Sequence, residues 1–327
     1  MQKQKTSGRS LRTSGAASRL VSGNYGVISR AEEEYARYFG YESALFFPSG
    51  YQANIGVLSA LFEKGDFLLF DKHVHASSIK GMILSGANFQ GYNHNSMAHL
   101  RRRLEADKGR QAAVITESLF SMDGDFLDIR AFGDLKKDYG FLSIVDEAHA
   151  FGTVGEGGRG IARQVADVAV GTFGKALGLF GAFVLLPAAW KEYLFNFSSP
   201  LIYSTTLPEA HAASALDILE TIAASEDQRR QLREVSRAMK EALTAEGFRV
   251  KGDAHIISWE IGAEDRAAEL SRELLARGIF VFPARYPTVP LGRSLLRLGM
   301  TALHTEEDVH FLIASLKDIR KKKGWQL

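Results

Sequence analysis

One rhythm constrains this chain more than any other feature. From Ala44 onward, strand-sized apolar runs alternate with helix-sized amphipathic ones. ALFFPSG leads into YQANIGVLSALFEKG, DFLLFD into HASSIKGMILSG, and AAVITESLF into IRAFGDLKKDYG. FLSIVDEAH is followed by a glycine-rich loop, and VADVAVGTF by GAFVLLP. A strand that must wait a dozen residues for its neighbour cannot close a hairpin, so the alternation predicts an α/β fold with a largely parallel sheet. An amphipathic stretch, AEEEYARYFG, precedes the first strand.

A long helical region from Pro208 to Glu246 breaks the rhythm. Beyond it, FRVKGDAHIISWEIG, the helix DRAAELSRELLARG, the runs IFVFPA and SLLRLGMT, and a last helix opened by Thr305 with Asp308 predict a small α+β lobe. With 327 residues there is room for two lobes, and the long helix is the expected hinge. The expected division is an N-terminal segment over 1–24, a large domain over 25–215 and a small one over 216–327.

Composition narrows the function classes. There are no cysteines, which removes disulfides, thiolate metal sites and a cysteine nucleophile. A net charge of +2 gives no argument for nucleic acid, and no apolar run approaches the length of a membrane span. The first 31 residues carry Lys3, Lys5, Arg9, Arg12, Arg19 and Arg30 with no acidic residue, a bias shared with organelle transit peptides. The tail IRKKKGWQL reads as a solvated helix end, and the expected location is the cytoplasm.

Three motifs mislead. GEGGRG fits a dinucleotide fingerprint, but it does not lie on the first βα turn, nor does an acid follow at the next strand end. DEAH spells a helicase box, yet the chain has no G-x-x-x-x-G-K-[ST] to cradle a triphosphate. His73 and His75 form an H-x-H pair that on a strand would aim both rings one way, but no further ligand cluster follows. No metal is expected.

The chemistry lies elsewhere. Asp146 ends the buried run FLSIV, where open α/β sheets place ligand contacts, and an acid there suits a pyridinium nitrogen. Lys175 follows one strand later; desolvated, it becomes a competent amine for a Schiff base. An acid and a lysine in that order are the two protein groups pyridoxal phosphate chemistry most requires. At Ser49-Gly50-Tyr51 a glycine turn opens a helix whose N–H groups suit an anion, and Thr172 adds a hydroxyl. His75 or Tyr51 is placed to cover the ring.

These residues sit in a set of ordered strings: ASRLVSGNYGVISRAEEEYARYFG, FPSGYQAN, DKHVHAS, YNHNSMAHL, ESLFSMDGD, VDEAHAFGTVGEGGRG, GTFGKALG, LIYSTTLP and YPTVPLGRSLLRLGMTALH. With them the chain, from about Thr13 to its end, resembles the α-oxoamine synthase family. The resemblance implies a fold-type I pyridoxal phosphate transferase, aspartate aminotransferase-like, with a large, mostly parallel domain and a small C-terminal α+β domain. It implies an acyltransferase that condenses an amino acid with an acyl-CoA or acyl-carrier-protein thioester and releases carbon dioxide.

By resemblance, Lys175 carries the cofactor as an imine, Asp146 lies under the pyridine nitrogen, and His149 and Ser121 lie near the phenolic oxygen. His75 is expected to stack on the ring. Gly50, Tyr51 and Thr172 belong at the phosphate end, and Ser204 or Thr205 reaches it from a partner subunit, so that the active unit is a homodimer. Arg297 matches the arginine that holds the amino acid carboxylate, and Arg285 and Thr288 match the substrate entrance. SMDGD, STTLP, PTVPLG and the phenylalanine of TFGKALG most resemble members that join L-alanine to a pimeloyl thioester, giving 8-amino-7-oxononanoate for biotin.

Glycine C-acetyltransferase, 5-aminolevulinate synthase and serine palmitoyltransferase share nearly all of this chemistry. A shortened, non-catalytic subunit and an aminotransferase are the remaining readings. Two departures bear on competence. The family carries an N-terminal segment close to NDYLG that has no counterpart here, and Leu295 stands where many relatives have the first arginine of R-L-R.

Overall fold

The computed structural model describes residues 12–106 and 112–324. Lys3, Lys5 and Arg9 of the basic N-terminal stretch, and the last three residues of the tail, lie outside the described residues. Contacts divide the chain into two units: residues up to Ser118 with Asp128–Ala224, and Leu119–Leu127 with Ser225 onward. The Pro208–Glu246 region is two helices that break at Ala224 and Ser225, rather than one continuous hinge helix. The expected boundary at 215 falls inside the first of them.

In the first unit the strands are β1 (Ser43–Phe47), β2 (Phe67–Asp71), β3 (Asn88–Tyr92), β4 (Ala112–Glu117), β5 (Leu142–Asp146), β6 (Val168–Thr172) and β7 (Ala182–Leu186). Between and around them run α1 (Gly26–Phe39), α2 (Gly50–Leu61), α3 (Ala76–Ser85), α4 (Met97–Ala106), α5 (Ile129–Tyr139), α6 (Ala188–Phe197), α7 (Ser199–Ile202) and α8 (Glu209–Ala223). A π-helical turn, Arg19–Gly23, precedes α1.

The strands form one sheet in the order β1-β7-β6-β5-β4-β2-β3. Only β7 runs against the others, pairing antiparallel with β1 and β6, so the largely parallel sheet read from the alternation is found. Residues along β1, β4 and β7 are buried throughout, as strands covered on both faces must be. β3 was not legible as a strand: Asn88–Gly91 alternate between exposed and half-buried, only Tyr92 is buried, and among the described strands it pairs with β2 alone.

Beneath the sheet an aromatic cluster of Tyr35, Phe39, Phe46, Phe151, Phe173 and Phe183 is almost wholly buried. Phe173 lies 5.0 Å from Phe46 and 5.1 Å from Phe183, centre to centre. Truncating one such ring to alanine costs roughly 3–5 kcal/mol, so the start of the segment leading to Lys175 is firmly held.

The second unit has α9 (Glu226–Ala245), β8 (Val250–Lys251), β9 (Ile256–Gly262), α10 (Glu264–Leu275), β10 (Phe282–Ala284), β11 (Ser294–Gly299) and α11 (Glu306–Lys323). Its sheet, β10-β11-β9-β8, is antiparallel throughout. One core joins Leu232, Met239, Trp259, Leu270, Leu296 and Leu316. The α11 capping box expected from Thr305 and Asp308 is formed on both sides. No helix of the described residues is long and apolar enough to cross a membrane.

Candidate active site

Because β1, β5 and β6 point the same way, the segments that leave them emerge at one edge of the sheet. Asp146 is the last residue of β5, Thr172 the last of β6, and Gly50 opens α2 just after β1. These residues, far apart in the chain, are gathered by strand direction alone.

Asp146 is fixed on both oxygens. Oδ1 accepts the Ala148 amide at 2.9 Å, and Oδ2 accepts the Asn54 side-chain amide at 2.8 Å. Asn54 is buried in α2 and also donates to the Ser77 hydroxyl at 3.0 Å. Ser77 in turn lies 2.7 Å from His75 Nδ1, and the Ser77 amide donates to the same nitrogen, so the ring caps α3 and keeps its proton on Nε2. The His75 amide donates to Glu117 at 2.6 Å. A chain of hydrogen bonds thus runs from the acid to the base of α3.

The next residue, Glu147, turns the other way and is wholly buried. Its carboxylate accepts the Ser118 hydroxyl at 2.6 Å and the Ala162 and Ile161 amides at 2.8 and 3.2 Å. Burial pushes this carboxyl up to about 7, against the pull of those three donors and with a smaller push from the Asp146 charge. Gly160 is required here: a Cβ would meet the Glu147 carboxylate at 2.5 Å. The glycine-rich loop that imitates a dinucleotide fingerprint is therefore packed on a buried acid.

Lys175 lies on the loop between β6 and β7, with Nζ 2.8 Å from His149 Nε2. Its side chain is exposed rather than desolvated, as are Gly174 and Ala176 beside it, while Leu177 of the same loop is buried. The expectation of a buried amine is corrected accordingly. The pairing requires a neutral His149 when the lysine carries its proton.

At the opposite end of this group, a Cβ on Gly50 would lie 3.8 Å from the Thr172 hydroxyl, so the α2 N-terminus and Thr172 face a common space. Ser49 caps α2 through the Gln52 amide, and Tyr51 on the first turn is exposed. Thr172 donates to the Gly181 carbonyl at 3.2 Å and accepts the Gly174 amide. Ser204 and Thr205 lie after α7, beside a small cavity also lined by Arg19, Phe46 and Pro48. The neighbouring Thr206 is pinned by its amide to the Ala17 carbonyl.

His73 and His75 lie in the turn between β2 and α3, not on a strand, so the alternation that would align their rings does not apply. His73 stacks on His94, with centres 4.0 Å apart, and His94 bonds to Asp71 at 3.0 Å.

The remaining residues belong to the second unit. On β11, Arg297 Nε donates to the Ser121 carbonyl at 2.6 Å, and burial lowers its pKa. Arg285 and Thr288 are exposed in the turn after β10, where the Thr288 amide donates to the Arg285 carbonyl at 2.8 Å.

Asn54, Ser77 and Glu147 were missed in the sequence. A polar residue buried within the apolar helix YQANIGVLSAL was the available signal for Asn54; nothing in the spacing pointed to Glu147.

Residues 6–316 match the family model described as aminotransferase class I and II. The 8-amino-7-oxononanoate synthase of Geobacter sulfurreducens is 40% identical over 95% of this chain and 82% of its own length. A serine palmitoyltransferase from S. paucimobilis, with bound PLP and myriocin, superposes with a TM-score of 0.90 at 29% identity over 95% of this chain and 81% of its own. The 8-amino-7-oxononanoate synthase of Francisella tularensis gives 0.80 at 30% identity over 91% and 89%. Together with an acid and a lysine at the same sheet edge, these likenesses show that the chain belongs to the class I and II aminotransferase family and, within it, to the α-oxoamine synthases.

Proposed function

We propose that this chain is a pyridoxal phosphate-dependent acyltransferase that joins L-alanine to a pimeloyl thioester, with loss of carbon dioxide, giving 8-amino-7-oxononanoate for biotin synthesis. The observation that carries the reading is 40% identity to such a synthase over nearly the whole chain. The donor set fits the cofactor. An acid with both oxygens held as acceptors suits a cationic ring nitrogen, a lysine is within reach of a histidine, and a helix N-terminus with a hydroxyl suits a phosphate.

When bound, pyridoxal phosphate supplies an electrophilic carbon for an amine and an electron sink for charge developing at the substrate α-carbon. Asp146 would keep the ring nitrogen paired, Gly50, Tyr51 and Thr172 would hold the phosphate, and His75 would cover the ring. In a homodimer, Ser204 or Thr205 adds the partner's contact to the phosphate. Arg297, its plane set by the Ser121 carbonyl, grips the amino acid carboxylate; Arg285 and Thr288 line the way in for the thioester.

Lys175 is the base that would take the proton from the substrate α-carbon. His149 relays or holds that proton through the Nζ contact and polarises oxygen as charge develops. The location that goes with this reading is the cytoplasm.

Serine is the second candidate amino acid, favoured by the TM-score of 0.90 to a serine palmitoyltransferase. The test is to load the protein with pyridoxal phosphate and titrate alanine, glycine and serine against the absorbance band. Pimeloyl-CoA and palmitoyl-CoA are then offered, and thiol release is followed. Alanine with pimeloyl-CoA is expected to release thiol fastest; release with no pair, or with serine and palmitoyl-CoA alone, overturns the assignment.

A further inference from the structure

We propose that His211 is a positioning residue for the loop that carries Lys175, acting through one hydrogen bond to the Phe180 carbonyl. The functional consequence rests on Lys175 as the reactive amine; the structural claim does not. The loop leaves β6 at Phe173 and returns at Gly181. Its base is closed by the Phe173 amide on the Gly181 carbonyl and the Leu179 amide on the Phe173 carbonyl, both at 2.9 Å. Phe180, between those closures, turns its ring outward, 68% exposed, and its carbonyl inward to His211 Nε2.

His211 stands on the first turn of α8 and is buried. Its ring meets Phe46 and Phe173 edge-on, at 6.4 and 5.3 Å between centres. Gly181 leaves the space this needs: at φ +97°, a Cβ there would lie 3.0 Å from the Phe47 carbonyl oxygen and 3.4 Å from His211 Nε2. The other ring nitrogen, Nδ1, is buried with no partner among the described residues.

Packing alone does not account for this choice. A phenylalanine would fill an aromatic pocket without leaving a nitrogen unpaired, so what the imidazole adds is its one donated bond. Burial lowers the His211 pKa and the Phe180 carbonyl partly offsets it, which fits a neutral ring protonated on Nε2. Of the titratable groups nearby, Tyr35 of α1 donates to the Ala215 carbonyl, and Glu209, two residues before His211, faces Arg12 at 3.9 Å. A second proton on His211 would place a buried donor on Nδ1 with nothing to receive it.

The test uses the protein without cofactor, so that it does not depend on the Lys175 reading. Amide hydrogen exchange at Phe173 and Leu179 is compared with that at Val114 and Ile115 of β4, after correction for intrinsic rates at each pH. His211→Phe keeps a ring and loses the donor; it is expected to speed exchange at both loop amides by about tenfold with the β4 amides unchanged. His211→Gln keeps an N–H and does not titrate; it is expected to stay within about threefold of the parent.

Acidifying the parent is expected to loosen the loop as His211→Phe does, and His211→Gln to show no such pH dependence. In the loaded enzyme, His211→Phe is expected to lower kcat several-fold with KM for the amino acid nearly unchanged, and His211→Gln to restore it. Loop amides as protected in His211→Phe as in the parent overturn the proposal. So does equal loosening of β4, which would make the residue a packing element only. If His211→Phe does not fold, the glutamine variant decides: a pH-independent loop supports the proposal, and one that tracks the parent overturns it.

Discussion

The turn after β5 and the loop after β6 are neighbours at one sheet edge, yet they are built in opposite ways. Asp146 has a donor on each oxygen, a buried asparagine behind one of them, and a wholly buried glutamate as its next residue. Lys175 is exposed, touches His149, and belongs to a loop held mainly at its base, by Phe173 and the bonds near Gly181. An acid that pairs with a ring nitrogen does one thing throughout a reaction and gains from rigid support. In the proposed reaction the lysine would serve both to hold the cofactor and to move a proton, which calls for freedom at its tip and restraint at its root.

The strongest way to break this contrast is to remove the amine. Lys175→Ala is expected to abolish the imine absorbance and to lower turnover by a factor on the order of 10³ or more, as loss of a covalent and acid–base group does. Borohydride should then leave no fixed cofactor. Turnover that survives in this variant would remove the lysine from the mechanism and the contrast with it.

Loosening the acid without deleting it sharpens the comparison. Asp146→Ala is expected to retain some cofactor while losing most of the rate. Asn54→Ala takes away one donor to Asp146 and leaves Ser77 one bond short, so the expected loss in kcat is about tenfold, from one charge-assisted hydrogen bond. Little change in KM for the amino acid should accompany it. Equal rates for Asn54→Ala and the parent would mean that rigidity at Asp146 contributes nothing.

How much of this was legible follows from where each signal lies. The parallel sheet was readable because apolar runs and amphipathic runs alternate along the chain, and strand direction then carries Asp146, Thr172 and Gly50 to one edge. The supports were not. Asn54, Ser77 and Glu147 act through contacts between segments 14 to 92 residues apart, and no local period encodes which buried polar group meets which. Lys175 is the converse case. Its position was evident, but its burial was inferred from the role, while the loop buries Phe173 and Leu177 and leaves Gly174, Lys175 and Ala176 exposed. β3 failed for a simpler reason: an edge strand with exposed alternate residues carries no continuous apolar run.

A stability measurement separates the two regions by pH. The Glu147 carboxyl is raised by burial from the ordinary carboxylate range to about 7. Between the unfolded value and about 7 the native state binds a proton that the unfolded chain does not, so native stability is highest at the acid end and declines as pH rises through that window. The decline is on the order of 3 kcal/mol. A protonated Glu147 satisfies its surroundings, since a hydroxyl on Oε2 can donate to Ser118 Oγ while Oε1 still accepts the Ala162 amide. Glu147→Gln also donates to Ser118 but sets an N–H against the Ile161 amide, a loss of about 1 kcal/mol. Urea unfolding is therefore expected to find the glutamine variant slightly less stable than the parent at pH 5, with the order reversed at pH 8. Curves that stay parallel across that range would show that Glu147 does not titrate there and that the turn's support is independent of pH.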